Sequence, residues 1–548
     1  MKLNINYSKL LNRIKTIPKY LWFLLAVLLI GIFLRTYNFH DWLHFENDQL
    51  RDAILVSDVL DGSTSWPLLG PTMRKSSDSK DELFHIGPIY YYFQILSANF
   101  FGNEPEKLGY PDLFFSFLSI PLLFIFLKRY FSINTTLILV SLYTISFFSI
   151  RYSRFAWNPN LIPFFTILFL FSLLELLLNK EKTNWIWVVA VGIAIGIGIQ
   201  LHIMLLVLFS AVTLLVFSYL LVCNRSIWKK LAVALLIVII LNLGYLISEY
   251  KNDFSNTRIL FKSERVNNEN FLGKLVNNID CHAEANLYIL SSYGSENCNF
   301  SYSDILKNKK SKTLIAELKS ADFIILIFLQ ALFAIFGYAS LLYLLWREKD
   351  NGKKYFLGLI TIFIAFFFLL MLFIIGKSFD SFRYFSPTFF VPLIFLGFLI
   401  DFINNKLSKK YLVISFAIIL FIIITNIVSI KNEFKKFQAG VKSDAYYHYA
   451  VLGELESIIR YLVDNSNNQK DIYISGDRFS LLPPLKYIAQ RQNVDIIEFD
   501  YKKNDAPPSK SVFYITDKLK DAADNYFAMY KIERHKVFGR IIIYKLEN

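Results

Sequence analysis

The stretch from Phe45 to Ala53 reads FENDQLRDA and holds the most suggestive spacing in the chain. Asp48, Arg51 and Asp52 follow at i, i+3 and i+4, so on a helix they share one face. A carboxylate placed there, facing water, could take a proton from a hydroxyl. It could equally do no more than cap the helix. Leu50, Ile54, Leu55 and Val59 fall on a different stripe, as expected of a helix lying along a membrane surface. Glu46 is a second carboxylate close by. Further along, Arg151, Arg154, Asn158 and Asn160 crown a short link between two apolar runs, and His202 follows Gln200 at the end of another. His85 precedes a Tyr-rich apolar stretch, Glu249 closes an apolar run, and Arg383 with Tyr384 opens one, with Lys377 shortly before. Each has a plainer reading. Arg383 could snorkel at a helix end, His85 could be an interfacial donor, His202 a buried hydrogen-bonding histidine, and Glu249 a boundary cap.

Several chemistries are excluded. There is no Gly-rich phosphate loop and no nucleophile elbow. The lone Gly of YISGDR (473–478) is no phosphate-binding signature. Cys281 and His282 with Cys298 lack the fourth ligand and the spacing of a structural zinc site. Carboxylates are sparse, which favours a metal-independent reaction, and no cofactor is expected.

The elements that must position these groups are apolar helices. Of 548 residues, 55% are hydrophobic and 17% aromatic, with 54 Phe, and the mean hydropathy is +0.41. Only 19% are charged, so neither a disordered chain nor an ordinary soluble enzyme fits. Spanning a bilayer takes about 20 apolar residues as a helix. The first such run, Tyr20 to Leu34, follows five basic residues and reads as an uncleaved signal anchor. Ten more runs lie near 112–127, 134–151, 160–178, 185–201, 203–222, 231–249, 322–345, 355–375, 384–403 and 411–430, giving about 11 transmembrane helices.

The net charge of +14 would suggest nucleic acid only if it clustered on a soluble surface. Instead, Lys128–Arg129, Lys180–Lys182, Arg225–Lys230, Arg347–Lys354 and Lys406–Lys410 alternate with longer or Lys-poor connections. Basic loops stay inside, so the N-terminus and these five loops are expected in the cytoplasm, with 35–111 and 250–321 as external loops. Residues 84–101 are apolar enough to span, but counting them would put every later basic loop outside. They are therefore expected to form an amphipathic helix at the outer interface, with Tyr90, Tyr91 and Tyr92 at headgroup level. Residues 1–430 then form the polytopic domain. Residues 431–548, with a helix over Asp444–Asp464 alternating with short β-rich runs, form a small external α/β domain. Cys281 and Cys298 fall in one external loop, an oxidising setting, and are expected to pair as a disulfide worth about 3 kcal/mol.

FENDQLRDA, followed in order by FHIGPIYYYF (84–93), SRFAWNPNLIPFF (153–165) and FRYFSPTFFVPLI (382–394), resembles the membrane glycosyltransferases of the GT-C fold. The branch it resembles contains bacterial relatives of protein O-mannosyltransferases and the lipid A aminoarabinose transferase. The resemblance covers about residues 20–400. It implies transfer of a sugar from a polyprenyl-phosphate donor to a lipid, glycan or protein acceptor on the outer face of the cell membrane. On that reading Asp48 is the general base, with Glu46 as backup. Where some relatives show Asp-Glu, this chain has Asp48-Gln49. His85 falls where relatives often carry the Lys of a Lys-Pro-Pro pattern, here His85-Ile86-Gly87-Pro88. Arg383 and Tyr384, in an R-Y-x-x-P pattern, become the donor-phosphate clamp, because a guanidinium fork matches phosphate oxygens; Lys377 assists. Arg51, Arg154, Asn158 and His202 are further substrate-binding candidates. A second acidic residue found in some relatives is replaced here by Asn158 and Asn160. The rival reading is a transporter or flippase of lipid-linked saccharides. It would call for ionisable residues near the bilayer midplane or broken helices in matched halves. Few charges lie within these runs and no paired repeat is evident.

Overall fold

The structure is a computed structural model that describes residues 18–74, 83–180, 184–261, 271–294, 298, 321–370, 382–406, 411–438, 451–466, 471–476, 481–499, 512–517, 531–538 and 541–547. Every apolar run is helical over the residues described. In chain order the helices are α1 (Lys19–Thr36), α2 (Asn47–Leu60), α3 (Ile89–Phe101), α4 (Tyr110–Leu127), α5 (Ile133–Ile145), α6 (Phe147–Arg151), α7 (Ile162–Leu178), α8 (Trp185–Leu201), α9 (Ile203–Cys223), α10 (Trp228–Leu241) and α11 (Leu243–Lys251). They continue as α12 (Ser255–Phe261), α13 (Phe271–Ser291), α14 (Ala321–Arg347), α15 (Asn351–Leu370), α16 (Val391–Lys406) and α17 (Leu412–Gln438). Among the described residues, seven helices are long and apolar enough to cross a membrane, and two bent pairs, each broken at 62°, raise that to nine. The two remaining runs are the shorter apolar helices α5 and α8, of 13 and 17 residues. The chain is a polytopic helical membrane protein with a small C-terminal sheet.

Lipid explains which faces stay bare. α7 lies at the centre, with Phe165, Phe169, Leu173 and Leu176 fully buried. α1 and α17 instead leave Phe23, Leu29, Phe33, Val413, Phe416 and Ile427 exposed, the apolar outer surface a bilayer accepts. The described residues of four basic loops gather at one end of the bundle. Lys180 Nζ lies 3.3 Å from Tyr355 Oη, Asn224 Nδ2 donates to the Lys180 carbonyl, and Lys353 stands over the Tyr130 ring. Exposed Trp185, Trp228 and Trp346 sit beside those same loops, the level an aromatic belt occupies.

The stretch 84–101 departs from expectation. Its first residues form a strand, β2 (Leu83–His85), antiparallel to β1 (Thr72–Arg74), and the helix α3 begins only at Ile89. At 13 residues α3 is too short to span. Tyr90 and Tyr91 are buried in protein rather than set among headgroups. Tyr90 Oη donates to Asp112 Oδ2 at 2.9 Å, and Tyr92 Oη donates to the Pro67 carbonyl. The exposed residues of α3 are Leu96, Asn99, Phe100 and Phe101. The stripe expected on α2 also shifts. Its buried residues are Gln49, Leu50, Asp52, Ala53 and Val56, while Ile54 is exposed, because α2 packs against α3 and the C-terminal unit.

That unit holds α18 (Leu452–Asp464), α19 (Leu482–Arg491) and a five-stranded sheet of order β4-β3-β5-β7-β6. Its strands are β3 (Asp471–Gly476), β4 (Asp495–Glu498), β5 (Val512–Asp517), β6 (Lys531–Phe538) and β7 (Ile541–Glu547). β3 pairs in parallel with β4 and β5, and β7 is antiparallel to β5 and β6. β6 and β7 thus follow each other closely in sequence and pair directly. α17 continues to Gln438, eight residues past the expected end of the polytopic domain. One apolar core joins the sheet to the first loop: Leu455, Ile459, Leu485 and Phe513 share it with Phe45, Leu50 and Val56. Leu452 N–H donates to the Leu43 carbonyl at 2.9 Å, and a Cβ on Gly453 would meet Asp41 at 3.0 Å.

Candidate active site

Glu46 occupies the N-cap position of α2 and forms a capping box with Gln49. The Glu46 N–H donates to Gln49 Oε1 at 3.2 Å, while Gln49 Nε2 donates to the Ala156 carbonyl at 2.9 Å. This pins the start of α2 to the 152–157 link. It also explains the Gln next to Asp48: a carboxylate at that buried position has no N–H to give Ala156. Asp48 is therefore not the cap. It sits in the first turn, 57% exposed at the side chain, with Oδ1 accepting from Arg51 Nη1 at 3.1 Å.

Arg51 is held from the other side. Its Nε and Nη2 donate to Asp52 Oδ1 at 2.9 and 2.7 Å, and Asp52 is buried. Burial pushes the Asp52 carboxyl up to about 6, although the Arg51 guanidinium pulls the other way. The buried carboxylate anchors the guanidinium and the guanidinium reaches Asp48.

Asp48 and Arg51 open onto a cavity of about 300 Å³. Asn158, His202, Arg383 and Tyr384 also line it, with Trp157, Ile86 and Met204 among its walls. Six residues singled out in the sequence thus converge from four separate parts of the chain. Arg383 lies on the 3₁₀ turn Phe382–Thr388, which meets α16 at the 62° bend. Its guanidinium stacks over the Tyr384 ring at 5.1 Å and bonds Tyr384 Oη at 3.3 Å. His202 caps α9: its Nδ1 accepts from the Met204 N–H at 3.2 Å, which leaves the ring proton on Nε2. Burial, with Arg383 nearby, lowers this imidazole to about 4, so it stays neutral and offers Nε2–H as a donor. Asn158 Nδ2 donates to the Leu201 carbonyl at 2.6 Å, fixing the α8–α9 break beside the cavity.

The other candidates lie elsewhere. His85 is on β2, its Nδ1 3.0 Å from the Gly70 carbonyl and its N–H donating to Asn256 Oδ1, and it does not line this cavity. Glu46 serves the cap and pairs with His44 at 3.6 Å. Arg154 donates to the carbonyls of Leu34, Arg35 and Tyr37, so it closes the end of α1. Glu249 accepts from the Thr257 N–H, a boundary role. Lys377 lies outside the described residues. Cys281, on α13, and Cys298 meet with Cα atoms 5.1 Å apart. Among the described residues, no group of three His, Cys, Asp or Glu side chains could hold a metal.

Three supporting groups were not foreseen. Asp112 accepts from Tyr90 and from the Trp157 N–H, tying α3 and a cavity wall to α4. Gly87 lies so close to Gln200 that an added Cβ would meet its side chain at 2.3 Å. Gln200 Oε1 in turn accepts from the Ile89 N–H. Arg35, fully buried, donates to Ser116, Ser149 and the Thr144 carbonyl. For Asp112 and Arg35 the only sequence signal was a charge at the edge of an apolar run.

With this geometry in view, residues 85–245 match the family model described as dolichyl-phosphate-mannose-protein mannosyltransferase. Over this stretch the chain resembles the protein mannosyltransferases. The mannosyltransferase-like segment runs from His85 on β2 into α11 and supplies Trp157, Asn158 and His202 to the cavity. Asp48, Arg51 and Arg383 come from outside it. No curated protein sequence matches the chain. Among solved structures, ArnT from Cupriavidus metallidurans in the apo state aligns at 11% identity over 96% of this chain and 97% of that one, with a TM-score of 0.47. The same protein bound to undecaprenyl phosphate aligns at 12% identity over 96% and 97%, with a TM-score of 0.46.

Proposed function

We propose that this chain is an integral-membrane glycosyltransferase that moves a sugar from a polyprenyl-phosphate donor to an acceptor hydroxyl at the membrane face bearing the Asp48 cavity. The observation that carries the reading is the meeting of one exposed carboxylate, two guanidiniums and a neutral imidazole in a single cavity at the end of the helix bundle. The family match supports it, since that family is named for a polyprenyl-type phosphate sugar. By the positive-inside bias of the opposite loops, this face is extracytoplasmic.

In the reaction, Asp48 takes the proton from the acceptor hydroxyl as its oxygen attacks the anomeric carbon. The bond from that carbon to the phosphate oxygen breaks, and polyprenyl phosphate leaves with the electron pair. Arg383 neutralises the charge growing on the phosphate, and the His202 Nε2–H adds a neutral donor. Arg51 holds Asp48 through its exposed side and is itself fixed by Asp52. The arrangement asks for no strong general acid, because the phosphate is already a good leaving group. The sugar and the acceptor, whether lipid, glycan or protein, follow from the parts of the cavity each fills.

Transfer assayed in membranes with a labelled polyprenyl-phosphate sugar tests this. Asp48→Asn is expected to slow transfer by about 10²–10⁴-fold with donor binding kept. Arg383→Ala is expected to weaken donor binding. Full transfer by Asp48→Asn would remove the general-base role, and unchanged donor affinity in Arg383→Ala would remove the clamp.

A further inference from the structure

A second polar cavity, of about 510 Å³, lies at the opposite end of the same helices. α4 starts beside the first site, where Asp112 holds Trp157, and ends at Lys128 and Arg129 of the second. α16 follows the turn carrying Arg383 and brings Asp401 and Asn404, in its last two turns, to the second cavity. At 1.5 Å per residue, the 18 residues of α4 cover about 27 Å, close to a bilayer core. The two cavities therefore open on opposite membrane faces, and the second lies among the basic loops.

Its lining is electropositive. Lys128, Arg129 and Lys353 face one carboxylate, Asp401, which already accepts from Thr135 Oγ1 at 2.8 Å. Arg129 is paired with Glu175 at its back. Lys128 and Lys353 carry no such ion pair among the described residues; their ammonium groups stand over the Tyr20 and Tyr130 rings at 5.4 and 5.6 Å. The N-terminal turn of α5 adds to the field. Ser132 caps that helix, and Ser132 and Asn134 line the cavity, so the positive end of a 13-residue helix lies at its edge. Phe131 and Ile138 supply an apolar wall below this rim.

We propose that this cavity binds the phosphate headgroup of an anionic phospholipid of the leaflet that contacts the basic loops. Cations between membrane helices on that side are suited to such headgroups. The apolar wall selects a lipid over a free anion, since the glycerol and acyl carbons would lie along it. The site is separate from the transfer cavity and does not depend on the reaction proposed there.

The test uses the full chain, delipidated in neutral detergent and titrated with phosphatidylglycerol or phosphatidylcholine, with bound lipid read by native mass spectrometry. One phosphatidylglycerol is expected to bind saturably in preference to phosphatidylcholine, and millimolar inorganic phosphate should not displace it. Lys128→Gln with Lys353→Gln is expected to weaken binding about 30-fold, at roughly one strong lysine contact each. The Lys→Arg pair should retain binding, which separates lost charge from lost fold. Lys229→Gln, in another basic loop and not lining the cavity, should leave binding unchanged. Equal retention of phosphatidylcholine, an equal loss in Lys229→Gln, displacement by phosphate, or unchanged binding in the double Gln variant would each overturn the proposal.

Discussion

At the residue scale, the chemistry of the first site rests on a pair of carboxylates with opposite surroundings. Asp48 is exposed and Asp52 is buried, and Arg51 bridges them. Asp52 titrates near 6 in the folded protein against about 3.8 for the free side chain. Between those values the native state keeps a proton that the unfolded chain would release. This group's contribution to stability is therefore full below about pH 4, falls as pH rises toward 6, and is constant above. Activity runs the other way, since ionised Asp52 holds Arg51 through a charge-assisted pair that the neutral acid would weaken. Transfer is expected to fall on the acid side with an apparent pKa near 6, measured as kcat/KM against pH. Asp52→Asn should remove that limb while leaving Asp48 in place. A profile flat from pH 5 to 8 in the parent chain would contradict the clamp.

At the element scale, short helices and turns aim the groups that the long helices carry. Gln49 shows how finely one choice is set, because its amide both accepts from Glu46 and donates to Ala156. Gln49→Glu would lose the donor and bury a charge against a carbonyl. It is expected to cost about 1–3 kcal/mol of stability, read as a lower melting temperature in detergent. Gly87→Ala addresses the hairpin and α3 entry. Its methyl would press on Gln200, which holds the Ile89 N–H, so displacement of the Ile86 wall should raise KM for the donor more than it lowers kcat. An unchanged KM would show that Gln200 simply yields. The 62° break before α16 does similar aiming for Arg383, turning a span's mouth into a ledge above the bundle.

At the scale of the whole molecule, the C-terminal sheet and the first loop share one core, and α2 packs between α3 and α19. The segment between α12 and α14 is tied differently. Its α13 is packed against α14, and Cys281 meets Cys298 beyond its end. The two thiols are proposed to form a disulfide in an oxidising compartment, and closing this 17-residue separation should stabilise the chain by about 3 kcal/mol. Intact-mass analysis after alkylation without reduction should then label only Cys223. Labelling of all three cysteines would rule the bridge out.

Apolar length and basic loops were legible in the sequence because membrane insertion is governed by composition over about 20 residues at a time. The C-terminal α/β character was equally local, written in short β-rich runs and in a Pro-started helix near 483–490, which the structure extends to Leu482–Arg491. Asp48 and Arg51 were legible from their helical spacing in the first loop, and His202 and Arg383 as unusual residues at the ends of apolar runs. What spacing left open was their company. His85 and Arg154 had the same credentials, yet one is held in a hairpin and the other closes α1. Asp112 and Gln200 gave little sign that they tie distant segments together. The sequence by itself determined which side chains could do chemistry and which stretches enter lipid, since both depend on residue type and short-range order. Only the tertiary structure decided which of them share a cavity. Contacts such as Gln49 with Ala156, or α2 with the C-terminal sheet, join residues over a hundred positions apart, and no local pattern encodes that distance.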